Sequence, residues 1–499
     1  MDDNQLFVVQ YARKGKNSMK YAFYGREEQI ADLERLWNKR TSSFVTCRGR
    51  RRIGKSTLIE RFAEVSGARF IMIEGLRPTK SLSNSAELAH FAAQLSETIG
   101  KDIEVPANWW KAFLDLDFAI GDGKRTVVLL DEISWMAHYD PSFAGTLKTA
   151  WDRYLKKHPK LILVVCGSVS SWIRENIIDD GAFFGRRSLD IVVPELPISE
   201  CVKFWGKSLG RIDLSEVIDI LSVVGGIPRY LEELTTASSA NENIRAMAFR
   251  PKSILRTDFD EMFQDAITRQ PTMCARIIRL LVADSMSSSE IAAKLDIDRN
   301  GNVNKALSQL EEAGLVACDE GKNPETGEDL REKRYRLKDN YCRFYLKYIE
   351  PEKNVIDKGQ YELGSLDQLE GWDGVKGLAF ENLVVNNCAA LRPLLGIGKA
   401  TITSIAPYRR AGSRDGTRSG LQVDLLLQTR RAVYLIEVKR KREIGREVIR
   451  EMEEKVRLLP KRPGVSVRTA LVYEGSLAPI VEADGYFDAI IPFRRLLGV

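Results

Sequence analysis

Short apolar runs in the first third of the chain alternate with amphipathic segments. The runs SFVTCR (43–48), TVVLLD (126–131) and LILVVCG (161–167) are continuous, which is typical of strands buried on both faces. After the first run, STLIERFAEV (56–65) has the apolar spacing of a helix. Strands that alternate with helices predict an α/β domain built on a parallel sheet.

The middle of the chain has a mainly helical pattern. An apolar stripe of helical period runs through MCARIIRLLV (273–282), and two further helices are predicted at 287–298 and 302–315. Two strand-like segments follow, VACDEG and RYRLKD, with a polar loop between them. A helix–turn–helix followed by a hairpin predicts a winged helix.

The last helix of this module presents a polar face suited to DNA contact. The face carries Asn302, Asn304, Lys305 and Ser308. The same helix has only one lysine and then two glutamates at 311–312, which disfavour contact with phosphates. Two interpretations therefore stay open, DNA binding and a structural or regulatory lid.

Towards the end of the chain the pattern becomes strand-like again. The segments VDLLL (423–427) and VYLIEVK (433–439), with a polar turn between them, predict a β-hairpin. A helix at 443–459 and a strand at 469–475 are predicted next. This order favours a second α/β domain.

Charged residues interrupt the second strand of that hairpin. Glu437 and Lys439 share one face because side chains alternate along a strand. The start of one antiparallel strand lies beside the end of the other, which brings Asp424 next to them. Such charges are costly to bury without partners, so they form either a closed ion-pair network or a site.

The composition is that of a globular protein with several domains. Its 499 residues exceed the size of one ordinary domain. The net charge is only +6, yet residues 430–462 hold twelve Lys or Arg against six Asp or Glu. This basic surplus favours a polyanionic partner, although a solvated surface is the commoner explanation of a charge run.

The numbers of cysteines and histidines indicate which kinds of site are not expected. Seven scattered cysteines without CxxC spacing argue against structural zinc and predict reduced thiols in a cytoplasmic protein. With only three histidines, chemistry that depends on histidine is not expected.

No apolar run reaches membrane-spanning length and no signal-peptide pattern is present, so no membrane partner is expected. Residues 1–18 are predicted to be a tail, with either Met1 or Met19 as the true start.

A phosphate-binding motif lies between the first strand and its helix. GRRRIGKS fits GxxxxGK[ST], and Gly49 and Gly54 allow backbone N–H groups to turn towards a phosphate. Lys55 would reach the outer phosphates, and Ser56 would bind Mg²⁺. Thr57 follows and is counted with the ATP-binding residues.

Two further strands end in polar residues suited to the same site. Asp131 would bind Mg²⁺, and Glu132 would polarise the attacking water. Ser168 would sense the γ-phosphate or position the water, although many strands end in Gly-Ser for turn reasons alone. No NKxD guanine signature is present, so ATP is the expected nucleotide.

The order of these motifs resembles that of a known family. With FYGREEQIADLERL (23–36), FFGRRSLDIVVPELPISE (183–200) and GGIPRYLEEL (225–234), it is similar to the archaeal-type AAA-like ATPase family, which is related to origin-recognition and STAND ATPases. The resemblance implies a P-loop core at 19–200, a helical lid at 201–262 and a winged helix at 263–351.

The same resemblance implies roles for segments outside the phosphate loop. The GRE segment would lie near the adenine. Arg186 or Arg187 would act in trans on a neighbour's γ-phosphate, which implies a homo-oligomer, and Arg229 would sense the nucleotide from the lid. For each arginine, a surface salt bridge is at least as good an interpretation.

The charged hairpin also resembles a known superfamily. Asp424, Glu437 and Lys439 follow the pattern Asp…Glu-x-Lys of PD-(D/E)xK nucleases, which include many restriction endonucleases. The resemblance implies a restriction-endonuclease-like α/β domain at 373–499, after a linker at 352–372.

The nuclease resemblance implies a metal site. Asp424 and Glu437 would hold Mg²⁺, and Lys439 would orient or deprotonate a water, or stabilise phosphate charge. Glu381, on a preceding helix, would supply another acid. Val423 stands where the superfamily name has Pro. The alternative is a buried ion-pair network in a degenerate nuclease fold.

These features predict a multidomain α/β protein that binds ATP and Mg²⁺. The predicted function is ATP hydrolysis coupled to a Mg²⁺-dependent nuclease that acts on nucleic acid, with DNA the favoured substrate. The alternative is an ATP-dependent switch or a DNA-remodelling ATPase whose nuclease-like domain is only a binding module.

Overall fold

The computed structural model describes residues 23–499 except 122, 169, 268–269, 298–300, 399–400 and 414–418. The predicted tail at 1–18, and Met19, lie outside the described residues. The described chain divides into two compact units. The first contains residues 23–195 and 262–267, and the second contains residues 196–261 and 270–499.

A parallel sheet forms the centre of the first unit. Its strands are β1 (Ser43–Arg48), β2 (Arg69–Glu74), β3 (Thr126–Asp131), β4 (Leu161–Gly167) and β5 (Arg187–Val192). The sheet order is β2-β3-β4-β1-β5, and all neighbours are parallel. All of β3 and β4 is buried, as expected for strands covered on both faces. The carboxyl ends of the strands meet at one edge, where Asp131, Ser168 and the phosphate loop lie, whereas Arg186 directly precedes β5 at the opposite edge.

Helices pack against this sheet and complete its core. They are α1 (Glu27–Trp37), α2 (Lys55–Ser66), α3 (Asn84–Ile99), α4 (Trp109–Ile120), α5 (Ile133–Met136), α6 (Phe143–Arg153) and α7 (Ser170–Ile173). Trp109 and Phe113 of α4 pack edge-on against Phe143 of α6, in the same core cluster as the apolar strand residues. These contacts bury the face of the sheet that the helices cover.

The second unit begins with the segment predicted as a helical lid. Its helices are α8 (Ile198–Cys201), α9 (Leu214–Val224), α10 (Pro228–Leu231), α11 (Ala240–Ala248) and α12 (Ile254–Ala266), whose last residues count with the first unit. The Asp213 side chain caps α9, and Pro228 begins α10, where its missing N–H costs nothing. The segment is therefore helical, and its role as a lid stays a prediction.

The winged helix is also present in the second unit. Its elements are α13 (Pro271–Leu280), β6 (Met286–Ser287), α14 (Ser288–Lys294), α15 (Gly301–Glu312), β7 (Val316–Asp319) and β8 (Arg334–Leu337). β7 and β8 pair antiparallel, as predicted, and β6 adds a third strand. The four polar residues predicted on the face of α15 are exposed. α14 ends earlier than predicted because Asp296 adopts a positive φ of 51°.

The segment predicted to be a linker, 352–372, is more ordered than expected. Helix α16 (Asn340–Phe344) precedes it, and helix α17 (Lys353–Asp357) lies within it. Ile356, Leu363, Leu366 and Leu369 are all buried. Their irregular spacing hides this packing from a search for apolar periodicity.

A mixed sheet forms the C-terminal part of the second unit. Helices α18 (Trp372–Asn386) and α19 (Leu391–Leu394) precede the strands β9 (Ile402–Arg410), β10 (Leu421–Thr429), β11 (Ala432–Ile444), β12 (Ser466–Leu477) and β13 (Ala489–Pro492). The order is β13-β12-β11-β10-β9, with β10 antiparallel to both neighbours and β12 parallel to both. Helices α20 (Glu447–Leu458), α21 (Pro479–Ala483) and α22 (Arg494–Leu497) complete the fold.

The predicted hairpin of β10 and β11 is confirmed, but its second strand is longer than predicted. β11 continues past Lys439 to Ile444 because β12 goes on pairing with it, as in the pair Arg440 and Glu474. Glu437 and Lys439 therefore lie within the strand instead of ending it. α20 correspondingly begins at Glu447 and not at 443.

Two further features of the described structure concern the cysteines and the helices. None of the seven cysteines, all of which lie in described parts of the chain, forms a disulfide, and Cys47 and Cys166 pair across β1 and β4. Among the described helices, none is both long enough and apolar enough to cross a membrane.

Two candidate functional sites

The phosphate loop, residues 49–54, joins β1 to α2. Gly49 has a φ of 152°, and a Cβ there would lie 2.6 Å from the carbonyl oxygen of Val193, so only glycine fits. Lys55 is 6% exposed, and its Nζ donates to the carbonyl oxygens of Gly49 and Arg50, both at 3.2 Å. The ammonium thus occupies the inside of the loop, where an incoming phosphate could replace the two carbonyls.

Ser56 and Asp131 meet at the start of α2 and the end of β3. The Ser56 hydroxyl donates to Asp131 Oδ2, and Asp131 Oδ1 accepts from the N–H of Glu132 at 3.0 Å. A hydroxyl beside a carboxylate is a donor pair that Mg²⁺ accepts, with water filling the other positions. The residues present therefore fit the predicted ion.

Glu132 and Ser168 also come together. Glu132 Oε2 accepts from the Ser168 N–H at 3.1 Å and from its hydroxyl at 2.9 Å. The Glu132 backbone has a φ of 47°, a left-handed conformation that is uncommon outside glycine and occurs at functional sites. Ser168 thus orients the acid expected to polarise water, and its predicted role towards the γ-phosphate stays a prediction.

Sequence reasoning missed two carboxylates beside this site. Glu74 ends β2 opposite Asp131, and burial followed by the charges of Asp131 and Glu132 raises its pKa. Asp265 pairs with Arg51 of the phosphate loop. Glu74 could have been predicted, because it ends a strand that pairs with the strand ending in Asp131. No local sequence pattern identifies Asp265 as part of the site.

The GRE segment contacts the phosphate loop directly. Arg26 is buried, and its guanidinium donates to the carbonyl oxygen of Ile53 at 3.1 Å and to that of Pro194 at 2.7 Å. This segment therefore braces the loop from one side, and the predicted proximity to adenine stays a prediction.

In the second unit, the hairpin brings Asp424 and Glu437 together. Leu425 pairs with Ile436, and continuing that register places Asp424 opposite Glu437. Asp424 Oδ2 accepts from the N–H of Val438 at 2.8 Å. The side chain of Glu437 is 1% exposed, so its charge needs partners.

Two lysines provide those partners. Lys439 Nζ lies 2.8 Å from Glu437 Oε1 and 2.9 Å from Glu451 Oε2. Lys455 pairs with the other oxygen of Glu437. Glu451 and Lys455 lie four residues apart on α20 and were missed, although their spacing on a predicted helix placed them on one face.

Glu381 completes an acidic group with these residues. Burial, then the charges of Asp424 and Glu437, raises the pKa of Glu381 to about 8. Burial and then Glu437 raise the pKa of Asp424 to about 6. Burial works in the opposite direction on Lys439, but its contact with Glu437 raises the pKa of the ammonium above its ordinary value.

The fit of this group to Mg²⁺ can be judged from its donors. Among the described residues, no three His, Cys, Asp or Glu side chains form a group able to hold a metal ion. Mg²⁺ needs only one or two carboxylates beside water, and Asp424 and Glu437 supply two. Burial, and then the charge of Glu437, raises the pKa of Asp424, and a bound cation would offset the second of these causes. The donors therefore fit a two-carboxylate site, provided that Glu437 releases a lysine.

Helix α18 is fixed in place by the winged helix. The side-chain amide of Asn382 donates to the carbonyl oxygens of Leu337, at 3.2 Å, and Lys338, at 2.6 Å. Arg336 of β8 pairs with Asp319 at 3.0 Å and donates to the side chain of Asn386 at 2.9 Å. The position of Glu381 on α18 thus depends on the winged helix.

Two family models match separate parts of the chain. One, described as an ATPase domain predominantly from Archaea, matches residues 23–234. Residues 23–234 form an archaeal-type P-loop ATPase domain. The other, a helix-turn-helix domain, matches residues 273–319. Neither match extends into residues 373–499, where the nuclease-like assignment stays a prediction.

The ATPase domain lies in a chain with recognisable relatives. The chain is 24% identical to an uncharacterized protein of Methanocaldococcus jannaschii over 347 residues, 68% of this chain and 72% of that protein. Over 42 residues it is 43% identical to an uncharacterized ATP-binding protein of the same organism, 8% of this chain and 71% of the relative. It is similar to the Walker-type ATPase of Pyrococcus abyssi with a TM-score of 0.47 and 14% identity, over 67% of this chain and 99% of that one. That structural likeness is too weak to support a comparison of function.

The arginines predicted to contact nucleotide form ion pairs in the structure. Near the end of the ATPase core, Arg186 Nε lies 3.0 Å from both carboxylate oxygens of Asp152, and this contact lowers the pKa of Asp152 to about 2. Arg229 of the lid lies 2.5 Å from Glu233. The surface-salt-bridge interpretation describes both contacts, and action in trans and nucleotide sensing stay predictions.

Proposed function

We propose that this chain is an ATPase whose nucleotide state controls a Mg²⁺-dependent nuclease site acting on nucleic acid, with DNA the favoured substrate. The ATPase and helix-turn-helix matches support the first part. The observation that carries the second part is the meeting of Asp424, Glu437 and Lys439 in one sheet, with Glu381 beside them.

Each residue of the ATPase site would have a different role in ATP hydrolysis. Lys55 would exchange its two carbonyl contacts for oxygens of the outer phosphates and offset their charge. Glu132, oriented by Ser168, would hold the attacking water. Ser56 and Asp131 would hold Mg²⁺, which offsets negative charge on the phosphates.

The nuclease residues would work chiefly through charge. The raised pKa of Lys439 keeps it protonated at neutral pH, so it suits stabilising phosphate charge or orienting a water better than removing a proton. Lys455 pairs with the buried Glu437 and offsets its charge. Asp424 and Glu437 would hold Mg²⁺, which polarises the phosphodiester and activates water.

A direct contact joins the lid to the nuclease strand. Arg440, the residue after Lys439, lies 2.6 Å from Asp219 of α9 and donates to the Ser222 hydroxyl at 3.3 Å. It also pairs with Glu474 of β12 at 3.1 Å. A movement of α9 would therefore act on β11, which supports control of the site by the lid.

The test is Mg²⁺- or Mn²⁺-dependent cleavage of plasmid DNA, single-stranded DNA and RNA, with and without ATP. Lys439→Ala should abolish cleavage, and Lys55→Ala should alter its response to ATP. Lys441→Ala, at an exposed lysine of the same strand, is the matched control. If the wild type cleaves no substrate while ATP turnover is normal, the nuclease assignment is wrong.

A second function is favoured by one observation, namely that lysines already occupy both oxygens of Glu437. In that case the C-terminal domain only binds nucleic acid or protein, and the chain is an ATP-dependent switch or a DNA-remodelling ATPase. This alternative predicts that duplex DNA stimulates ATP turnover. The stimulation should be lost in Lys305→Glu and unchanged in Lys439→Ala. Lys305 is exposed on α15 and suits this test.

A further inference from the structure

A cavity of about 120 Å³ lies between the winged helix and the C-terminal sheet, within the second unit. Winged-helix residues line one part of it, and α18, β9 and β10 line the rest. Its charged lining comprises four acids and four arginines: Asp284, Asp319, Glu381, Asp424, Arg334, Arg336, Arg343 and Arg409. Two of the acids, Glu381 and Asp424, are those of the candidate nuclease site, so the cavity opens onto that site.

Three of the four arginines have carboxylate partners. Arg336 pairs with Asp319 at 3.0 Å. Arg334 pairs with Glu290 at 3.0 Å, and Arg409 pairs with Asp284 at 2.6 Å. Their charges are offset by residues of the winged helix itself, so they form a polar wall without a surplus of charge.

Arg343 is different from the other three. It is 5% exposed, and its terminal nitrogens donate to the carbonyl oxygens of Val282 and Leu337. Its Nε is buried and has no hydrogen-bond partner, and no described carboxylate forms an ion pair with it, although the charge of Glu381 acts on it from farther away. A buried charge without a paired counter-charge is costly, which makes this guanidinium a candidate to meet an anion.

We propose that this cavity holds a phosphate group of the nucleic-acid backbone, anchored by Arg343 beside the Glu381 and Asp424 carboxylates. The inference rests on the proposed nuclease function, because it places the substrate of that same site. The phosphate supplies a directly paired counter-charge and an acceptor for Nε. A phosphodiester carries one negative charge and repeats along the strand, so one phosphate can enter the cavity while its neighbours remain outside.

The winged helix then becomes part of the nuclease site. Arg343 lies on α16 directly after β8, and Arg336 of β8 fixes α18, which carries Glu381. The module would position the backbone against the acids instead of reading bases from a distance. This role is compatible with the acidic pair on α15, which disfavours that helix as a phosphate-binding surface.

The experiment measures binding, so that its outcome does not depend on cleavage. Fluorescein-labelled 20-base-pair DNA and RNA duplexes are titrated with the full-length protein, and anisotropy is recorded in EDTA and in Ca²⁺ over a series of salt concentrations. The variants are Arg343→Met, which removes the charge at similar length, and Arg343→Lys, which keeps the charge. Arg468→Gln, at an exposed arginine paired with Asp488, is the matched control.

Arg343→Met should weaken binding of at least one duplex by roughly tenfold or more, the range of a hydrogen bond to a charged group. The slope of log K against log salt should fall by about one, because one phosphate contact is lost. Arg343→Lys should recover part of the affinity, and Arg468→Gln should bind as the wild type does. A purely structural role of Arg343 would not change the salt slope selectively.

A second variant covers the case in which Arg343→Met fails to fold. Val385→Phe adds bulk at a partly exposed lining residue and leaves every charge in place. It should also weaken binding. If the variants that fold bind with unchanged affinity and salt slope, the cavity holds only water and the inference is wrong. If binding depends on Arg343 but no substrate is cleaved, the nuclease function fails while the phosphate site stands.

Discussion

The two candidate sites hold their lysines in different ways, Lys55 buried and Lys439 partly exposed. Lys55 of the ATPase domain donates to the backbone carbonyls of Gly49 and Arg50, at 3.2 Å each. Lys439 of the C-terminal sheet is held between the carboxylates of Glu437 and Glu451. A neutral carbonyl gives up an ammonium to a phosphate readily, whereas a buried ion pair does not. Lys55 is therefore ready for its ligand, whereas Lys439 must first be released from its carboxylates.

The largest expected effect follows from the ready lysine. Lys55→Ala should lower ATP turnover by roughly a hundredfold or more, because a charge directed at the phosphates is lost. ATP turnover under saturating Mg²⁺ measures this. Lys80→Ala, at an exposed site of the same unit, should be neutral, and equal loss in both variants would contradict a specific role for Lys55.

The next effect tests the restrained lysine. Lys439→Ala should abolish Mn²⁺-dependent cleavage while ATP turnover remains normal, because the two sites use separate side chains. Cleavage of supercoiled plasmid, measured together with ATP turnover, separates the two activities. A parallel loss of both would mean that the substitution unfolds the chain.

A substitution at Lys455 tests how strongly the two cations restrain Glu437. Lys455→Met removes one of the two cations on Glu437 and should lower cleavage less than Lys439→Ala does, because Lys439 still offsets the buried carboxylate. Cleavage at several Mn²⁺ concentrations checks this. If a cation takes the place of Lys455, added Mn²⁺ should restore part of the activity, and no recovery at any concentration would exclude that exchange.

A smaller effect is expected at the contact between lid and sheet. Asp219→Asn keeps the shape of the side chain but weakens its pair with Arg440, so it should reduce the change in cleavage caused by ATP severalfold. ATP turnover and cleavage without ATP should remain near wild-type values. Asp213→Asn, at the cap of the same helix, is the control, and an undiminished ATP response in Asp219→Asn would exclude this route of coupling.

The smallest effect concerns a buried acid of the ATPase unit. Glu87 is 2% exposed and accepts from the N–H of Leu76, and burial raises its pKa to about 7 without a charged neighbour, in contrast to Glu381. The folded protein holds this proton more tightly than the unfolded chain. The free energy of unfolding should therefore fall as pH rises from about 4.5 to about 7, by at most about 3 kcal/mol.

The variant Glu87→Gln tests the direction of this pH dependence of stability. The variant lacks the titration, so relative to the wild type it should be more stable at pH 8 than at pH 5. Urea unfolding at both values measures the difference. Glu97→Gln, at an exposed position of the same helix, should show no such trend. If the stability difference between Glu87→Gln and the wild type is the same at both pH values, the pKa of Glu87 is not raised.

The sequence predicted the ATPase site better than the carboxylate site. Gly49, Lys55 and Ser56 stand in one contiguous motif, and Asp131 and Glu132 follow a strand of the same parallel sheet, so local pattern was enough to bring them together. The hairpin likewise predicted that Asp424 faces Glu437. The partners of Glu437 on α20 were missed because they come from a packed helix and not from a strand neighbour.

By itself the sequence determined the order of the elements, the phosphate loop, the winged helix and the charged hairpin. These depend on short-range geometry, namely the periods of helices and strands and the spacing of residues within one turn. Only the tertiary structure decided that the segment at 352–372 is packed, that Arg440 meets the lid, and that Arg343 lies buried by the nuclease acids. Those contacts join residues far apart in the chain, and burial sets the energy of their charges. No local pattern records either property.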